Sequence, residues 1–285
     1  MAALGSDEAT ADLAYESVDA AGVPVRIYRP AGEPSDGLLW AHGGGFVHGD
    51  LDMPEADWVA RSLADRGHLV VTVDYRLATE TVRYPEPSND ILSAWHWFTE
   101  HRTGLGVDAS LHLGGASAGG NLVTGAVVRM RDGDPAAHGA PLPHSLVLAY
   151  PTLHAVQPPA SAGLAGLLLN LPEEARWGAD QVLGMYAAFL PLGGASAAEI
   201  VRSAPAAAVP GDADITGFPP TLIVTSETDG LRASAEAFDS RLAEAGIEHE
   251  YFTEPGTLHG HLNRPNEPGG LPTLERMHAW LTNHR

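Results

Sequence analysis

Apolar and polar stretches alternate along most of this chain in a pattern that predicts strands and helices in turn. Short, nearly continuous apolar runs are typical of strands that are buried on both faces of a parallel sheet. The runs predicted as strands are residues 14–18, 23–28, 38–41, 69–74, 111–114, 145–150, 221–225 and 249–253. This alternation predicts the α/β class, with a mostly parallel central sheet and helices on both faces.

The segments between these runs carry apolar residues at helical spacing. In one of them, Pro87 and Ser88 mark the start of a helix, and Ile91, Trp95 and Phe98 repeat along one face. The other predicted helices are 54–66, 121–131, 173–190, 234–245 and a final helix that starts at Pro272. A chain of 285 residues with this organisation is expected to form a single α/β domain.

The alternation lapses between about residues 151 and 210, where Gly, Ala, Leu and Pro are frequent. A structureless loop of such length is uncommon in a compact domain and usually has a function. We interpret this insertion as a small helical lid over a functional site, and the alternative is an extra pair of surface helices. The domain 1–285 is therefore expected to comprise a core, this lid and a short N-terminal segment.

The composition excludes several kinds of site and partner. The chain has no cysteine, which excludes disulfides, thiolate metal sites and a cysteine nucleophile. Its net charge of −20 repels nucleic-acid phosphates and anionic membranes, so neither is expected as a partner. Residues 1–10 lack the basic segment of a secretory signal, and the apolar run 164–171 is too short to cross a bilayer. A cytoplasmic protein is expected.

The strongest chemical motif is residues 115–119, which read GASAG and match the pattern G-x-S-x-G. The motif follows a predicted strand and precedes a predicted helix, which is the context of a nucleophile elbow. A sharp turn of this kind strains the backbone at Ser117 and leaves room for small neighbours alone. The sequence therefore predicts Ser117 as a nucleophile, and the alternative is a glycine-rich phosphate-binding loop.

A second motif, HGGGF at His42–Phe46, also follows a predicted strand. Consecutive glycines let the chain curl back and present N–H groups to a cavity, as the oxyanion holes of lipases and esterases do. Gly43, Gly44 and Ala118 are the predicted oxyanion donors. We expect His42 to orient the loop through hydrogen bonds, although it could also be read as a base or a ligand.

A serine nucleophile needs a histidine base and an acid that orients it. In an α/β hydrolase these residues follow the serine in the order acid, then histidine, on loops at the carboxyl ends of strands. Asp229 and His259 fit that order with one helix and one strand between them. Glu227 is the alternative acid and His261 the alternative base.

The motifs together resemble the hormone-sensitive-lipase-like family of esterases, its bacterial carboxylesterases and acetyl esterases above all. The matches, in the order of that family, are HGGGF at 42–46, DYRLA at 74–78, GASAGGNL at 115–122, and DGLR at 229–232 followed by His259-Gly260. The resemblance covers nearly the whole predicted core. It implies a lid, ester hydrolysis without a cofactor or a metal, and the triad Ser117, Asp229 and His259.

The chain departs from the pattern of that family at a few positions. Ala116 stands where the family usually has Asp, and Thr79 where it usually has Pro. His261 replaces a common aromatic, which is expected to make one wall of the pocket more polar. The segment before His42 is short, so much of the family's usual N-terminal contribution to the lid is expected to be missing.

The sequence thus predicts a serine carboxylesterase that hydrolyses short-chain acyl esters of small molecules through an acyl-enzyme. The residues expected to line the substrate pocket are Phe46, Trp177, Tyr186, Phe189 and His261, and the alternative for the aromatic residues is packing within the lid. Peptide or amide hydrolysis, or ligand binding without catalysis, are alternative functions on such a scaffold. The last strand is expected at an exposed sheet edge, where pairing with a second copy would form a homodimer.

Overall fold

The structure of the protein is a computed structural model, and residues 15–172, 177–192 and 196–285 are described here. The strands are β1 (Tyr15–Ala20), β2 (Val23–Tyr28), β3 (Gly37–Ala41), β4 (Leu69–Val73), β5 (Leu111–Ala116), β6 (Ser145–Ala149), β7 (Thr221–Thr228) and β8 (His249–Leu258). The helices are α1 (Pro54–Ala64), α2 (Glu86–His101), α3 (Ala118–Arg131), α4 (Ala162–Leu169), α5 (Ala179–Phe189), α6 (Ala197–Ser203), α7 (Arg232–Glu244) and α8 (Gly270–Asn283).

The strands form one sheet in the order β1-β2-β4-β3-β5-β6-β7-β8. The hairpin β1–β2 joins β4 in antiparallel fashion, and every pair from β4 to β8 is parallel. Because the strands from β3 to β7 run in one direction, the loops that follow them converge at one edge of the sheet. The predicted α/β class, with a mostly parallel sheet, is confirmed.

The two faces of the sheet carry separate hydrophobic cores. Helices α1 and α8 cover one face, where Leu63 and Trp280 pack with Trp40 of β3. Helices α2, α3 and α7 cover the other face, where Trp95 and Phe238 belong to the larger core. Every residue of β3, β4, β5 and β6 is buried, which explains why their sequences read as continuous apolar runs.

The predicted elements match those of the structure, with differences at their ends. Helix α3 begins at Ala118, three residues before the predicted start at Asn121, because it follows directly from the turn at Ser117. Strand β8 continues to Leu258, beyond the predicted end at residue 253. Residue 14 of the first predicted strand and residues 173–176 of the predicted lid helix lie outside the described residues.

The insertion between β6 and β7 is helical where it is described. It contains α4, α5 and α6, and the buried side chains Val182, Phe189 and Ile200 join the larger core. Arg83 anchors the carboxyl end of α5 by donating to backbone carbonyls of its last turn. The insertion is therefore packed against the core rather than held only by its two ends.

Among the helices that the structure describes, none has both the length and the apolar character that a bilayer crossing requires.

Candidate active site

Ser117 lies at the junction of β5 and α3, with a φ of +50° and a ψ of −113°. This region of backbone space is unfavourable for a residue with a side chain and costs about 1–3 kcal/mol. The surrounding structure holds the turn on both sides, because Ser117 N–H donates to Ala149 O (2.9 Å) and Ser117 O accepts from Thr152 N–H (3.2 Å). Backbone strain that is held by neighbouring hydrogen bonds is typical of turns from which a functional side chain projects.

The glycines of the GASAG motif have no space for a side chain. A Cβ on Gly115 would lie 2.6 Å from the backbone of Gly119, and one on Gly119 would lie 2.2 Å from Ala41 O. The strand, the helix and the end of β3 are therefore packed backbone against backbone. This close approach brings the HGGGF loop, which follows β3, next to Ser117.

The three residues of the predicted triad are joined by two hydrogen bonds. Ser117 Oγ lies 3.0 Å from His259 Nε2, and His259 Nδ1 lies 2.7 Å from Asp229 Oδ2. Asp229 follows β7 directly and is buried, and its second oxygen accepts from Leu231 N–H (2.9 Å). His259 follows β8 directly, so each member comes from the carboxyl end of a different strand.

Burial and three charged groups determine the pKa of the His259 imidazole. Burial lowers this pKa, but the charge of Asp229 and its hydrogen bond raise it, with a further contribution from Glu55, while Arg264 opposes them. The net effect is a pKa above the ordinary value for histidine. A positive imidazolium is therefore stabilised at the position where a proton from Ser117 would arrive.

The alternative acid and the alternative base lie apart from this chain of hydrogen bonds. Glu227 Oε2 accepts from Gly256 N–H of β8 at 2.8 Å. His261 is buried between Ser226 Oγ (2.9 Å) and Thr273 Oγ1 (2.7 Å), so both of its ring nitrogens are occupied.

The HGGGF loop is supported by contacts with Tyr75. The ring of His42 stacks on Tyr75 with centroids 4.4 Å apart, and His42 Nδ1 lies 2.7 Å from Gly43 O. Tyr75, the second residue of the DYRLA motif, donates its hydroxyl to His42 O at 2.8 Å. Burial lowers the pKa of His42, so the ring is neutral and belongs to the support of the loop.

The structure gives Gly43, one of the three predicted oxyanion donors, a hydrogen-bond partner within the protein. Its N–H donates to Glu55 Oε1 at 2.6 Å and is therefore already engaged by a carboxylate. Gly44 and Gly45 line the cavity beside Ser117, and their N–H groups make no hydrogen bond with the described part of the chain. Ala118 is the first residue of α3, so its N–H has no acceptor within the helix. The donors available to an oxyanion are thus those of Gly44, Gly45 and Ala118.

Ser117 and His259 open into a cavity of about 580 Å³ between the sheet edge and α5. One wall is largely apolar and comes from the insertion, with Trp177, Gly184, Met185 and Ala188. The remaining lining residues are Gly44, Gly45, Val47, His48, Met53, Glu55, Gln181, Gly260, Asn263 and Arg264. The volume lies in the range of pockets for small molecules.

Of the five residues predicted to bind substrate, the structure brings Trp177 alone to the cavity. Its ring meets the edge of the His259 ring, with centroids 5.4 Å apart. Phe46, Tyr186 and Phe189 are fully buried, and Phe46 stacks on Phe189 with centroids 4.1 Å apart. These three aromatic side chains pack the insertion against the core. Their mutual burial is more favourable in free energy than exposure to a solvated pocket would be.

His261 likewise lies outside the cavity wall. The side chain that was expected to make the pocket polar is instead fully buried beneath it. Its two hydrogen bonds, to Ser226 and Thr273, satisfy the ring inside the core between β7 and α8.

Glu55 and Asn263 line the cavity and Tyr75 supports the HGGGF loop, although the sequence motifs predict none of these roles. Glu55 is 2% exposed, and a buried carboxylate is rare unless it is paired. Its one signal in the sequence is its place next to Pro54, at the start of a predicted helix. Nothing in that pattern distinguishes it from the exposed acidic residues that commonly begin helices.

Comparison with known proteins places this geometry among ester hydrolases. A family model described as the alpha/beta hydrolase fold matches residues 38–263. The carboxylesterase NlhH of Mycobacterium tuberculosis is 34% identical over 247 residues, which are 85% of this chain and 72% of that protein. The ethyl acetate hydrolase of Pseudomonas putida is 32% identical over 264 residues, which are 87% of this chain and 74% of that protein.

Solved structures show the same relationship. An esterase of Pyrobaculum calidifontis has a TM-score of 0.79 at 28% identity, over 96% of this chain and 85% of that one. A bacterial heroin esterase has a TM-score of 0.81 at 27% identity, over 98% of this chain and 86% of that one. The chain is thus similar to esterases over its sheet and over its insertion.

The burial of His261 predicts a loss of stability in acid. Burial, followed by the charges of Arg264 and His259, lowers the pKa of His261 to about 4. The unfolded chain, with an ordinary pKa of about 6.5, binds more protons between these values, so stability falls as the pH falls through that window. We expect His261→Gln to reduce the difference in unfolding free energy between pH 7 and pH 5 by about 2 kcal/mol. Urea unfolding at both pH values measures it.

His101→Gln is the matched control, because His101 lies on the exposed end of α2. It should leave the difference between the two pH values as it is in the unsubstituted protein. If both substitutions had the same effect, or if His261→Gln had no effect, buried His261 would not be the source of the loss of stability in acid.

Proposed function

The chain belongs to the alpha/beta-hydrolase family and is a carboxylic ester hydrolase, and we propose that it acts through Ser117, His259 and Asp229. The observation that carries this proposal is the unbroken chain of hydrogen bonds from Ser117 Oγ through His259 to Asp229 Oδ2. A serine hydroxyl is a weak nucleophile until a base removes its proton. The arrangement supplies that base at hydrogen-bonding distance.

In the proposed mechanism, His259 Nε2 takes the hydroxyl proton while Ser117 Oγ attacks the ester carbonyl. The resulting imidazolium transfers the proton to the leaving alcohol, and the carbon–oxygen bond of the ester breaks. Water then attacks the acyl-enzyme with His259 again as the base, which releases the acid and restores Ser117. Asp229 holds the imidazole in the required tautomer and stabilises its positive form.

We further propose that Gly44, Gly45 and Ala118 bind the oxyanion of the tetrahedral intermediate. The availability of these N–H groups supports this set over the one that includes Gly43, whose N–H is engaged by Glu55. Each donor of this kind is typically worth about 3 kcal/mol in the transition state. The dipole of α3, which begins at Ala118, adds to the same effect.

The preferred substrates are proposed to be neutral esters with short acyl chains. A cavity of about 580 Å³ accommodates a small molecule, and α5 with Trp177 closes one side of it. We propose that the insertion between β6 and β7 acts as the lid of this cavity. The alternative functions, amide or peptide hydrolysis and binding without catalysis, have no feature of the cavity in their favour. A cytoplasmic location and a homodimer stay predictions of the sequence.

The proposed role of Asp229 is tested against Glu227, the alternative acid, which lies at the end of β7. Asp229→Asn removes the charge that stabilises the imidazolium and permits the wrong tautomer, so kcat for 4-nitrophenyl butyrate should fall by about 10³- to 10⁴-fold. Glu227→Gln makes the same chemical change two residues earlier, where the side chain accepts from Gly256 N–H, and kcat should stay close to the original value. If Glu227→Gln lost as much activity as Asp229→Asn, the assignment of the acid would be wrong.

The proposed preference for short chains is tested with 4-nitrophenyl esters of increasing acyl length and with a 4-nitroanilide. We expect kcat/KM to be highest at about two to six carbons, and the anilide to react far more slowly. Gly184→Leu should shift the maximum to shorter chains, because Gly184 lines the cavity and its Cβ would point into open space. Gly166→Leu on α4, where the space is also open, should leave the profile unchanged. A maximum at long chains would refute the proposal.

A further inference from the structure

We infer that Glu55 is a positioning residue for the reaction, one that fixes the HGGGF loop and supports the positive form of His259. The inference rests on the proposed function of Ser117 and His259. Glu55 itself touches neither the attacking oxygen nor the proton that moves. It acts on the HGGGF loop through its hydrogen bond with Gly43 and on His259 through its charge.

The carboxylate of Glu55 is buried and fully paired. It belongs to the second residue of α1, where the N–H groups of the first turn favour a negative charge. Oε1 accepts from Gly43 N–H at 2.6 Å, and Oε2 accepts from Tyr150 O–H at 2.7 Å. Because both oxygens already accept hydrogen bonds, the buried carboxylate is satisfied, and neither oxygen is free to serve as a base.

The backbone of Glu55 is held as firmly as its side chain. Trp40 Nε1 donates to Glu55 O at 2.8 Å, and Glu55 N–H donates to Asn263 Oδ1 at 3.2 Å. Trp40 belongs to the strand that leads into the HGGGF loop, and Asn263 follows His259 closely in the chain. Glu55 therefore stands between the two segments that would supply the oxyanion donors and the base.

The effect on the oxyanion loop follows from the space around Gly43. A Cβ at this position would lie 2.5 Å from Glu55 Oε1 and 3.1 Å from Ser117 Cβ, so the backbone of Gly43 is confined between the carboxylate and the serine. With its N–H turned to Glu55, the chain enters Gly44 at a φ of +116°. The carboxylate thus sets the direction from which Gly44 and Gly45 present their own N–H groups.

The effect on His259 is electrostatic. The charged groups that face its ring are Asp229 from the loop after β7, Glu55 from α1 and Arg264 from the loop after Asn263. Two uncharged titratable groups also lie near it, Tyr150, which follows β6 and whose ring centroid is 5.2 Å away, and His261. The two carboxylates favour the imidazolium and Arg264 disfavours it, so loss of Glu55 leaves Asp229 alone against Arg264.

Glu55→Gln keeps the shape of the side chain and removes its charge. We expect the acid limb of the profile of kcat/KM against pH to move down by on the order of one pH unit, because His259 would lose its proton more readily. At the plateau, kcat should fall on the order of tenfold with little change in KM, since the donors and the imidazolium act in the transition state. A purely structural role would lower activity or melting temperature without moving the limb.

Two further variants separate the charge from the hydrogen bonds. Glu55→Asp keeps the charge but is too short to reach both Gly43 and Tyr150, so kcat should fall while the acid limb stays in place. Asp57→Asn removes one charge from the same turn of α1, where Asp57 pairs with Tyr28 and Arg61. It should change neither the limb nor kcat.

An unshifted limb in Glu55→Gln, or an equal shift in Asp57→Asn, would overturn the inference. If Glu55→Gln does not fold, Glu55→Asp decides, and an undiminished kcat would overturn it. Failure of the proposed function is recognised separately, because Ser117→Ala would then retain activity. If Ser117→Ala is inactive and Glu55→Gln keeps the original profile of kcat/KM against pH, the proposed function stands and only the role of Glu55 is refuted.

Discussion

The backbone has to pass from strand to helix within a single residue at Ser117, at a φ of +50°. This turn is possible because Gly115 and Gly119 let β5, α3 and the end of β3 approach at backbone distance. The same approach puts the HGGGF loop beside the serine, and hydrogen bonds to the end of β6 keep the turn in place. The parallel sheet then brings Asp229 and His259 to the same edge, from the ends of β7 and β8.

A large part of this arrangement could be predicted from the sequence, because it depends on local rules. Continuous apolar runs marked the buried strands, and the glycines around Ser117 marked a turn that tolerates small residues alone. Chain order pointed to Asp229 and His259, and the resemblance to a family of esterases, which the comparisons confirm, pointed the same way. The two residues that compete with them, Glu227 and His261, have other partners in the structure.

The remainder depends on contacts between distant segments, which no local pattern records. Gly43 differs from its glycine neighbours only because Glu55, on a separate helix, takes its N–H. Phe46 and Phe189 stack on each other although they lie 143 positions apart in the chain, so residues that were expected in a pocket belong to the core. Glu55 itself was overlooked, since an acidic residue at the start of a helix is ordinary unless its burial is known.

The central claim, that Ser117 is the nucleophile, is tested most directly with a reactive phosphonate ester and mass spectrometry of the digested protein. We expect one phosphonylated residue, Ser117, with loss of ester hydrolysis in proportion to labelling. The Ser117→Ala variant, with an unchanged melting temperature as evidence that it is folded, should be neither labelled nor active. A folded protein that resists the phosphonate, or a Ser117→Ala variant that still hydrolyses esters at the original rate, would contradict the account.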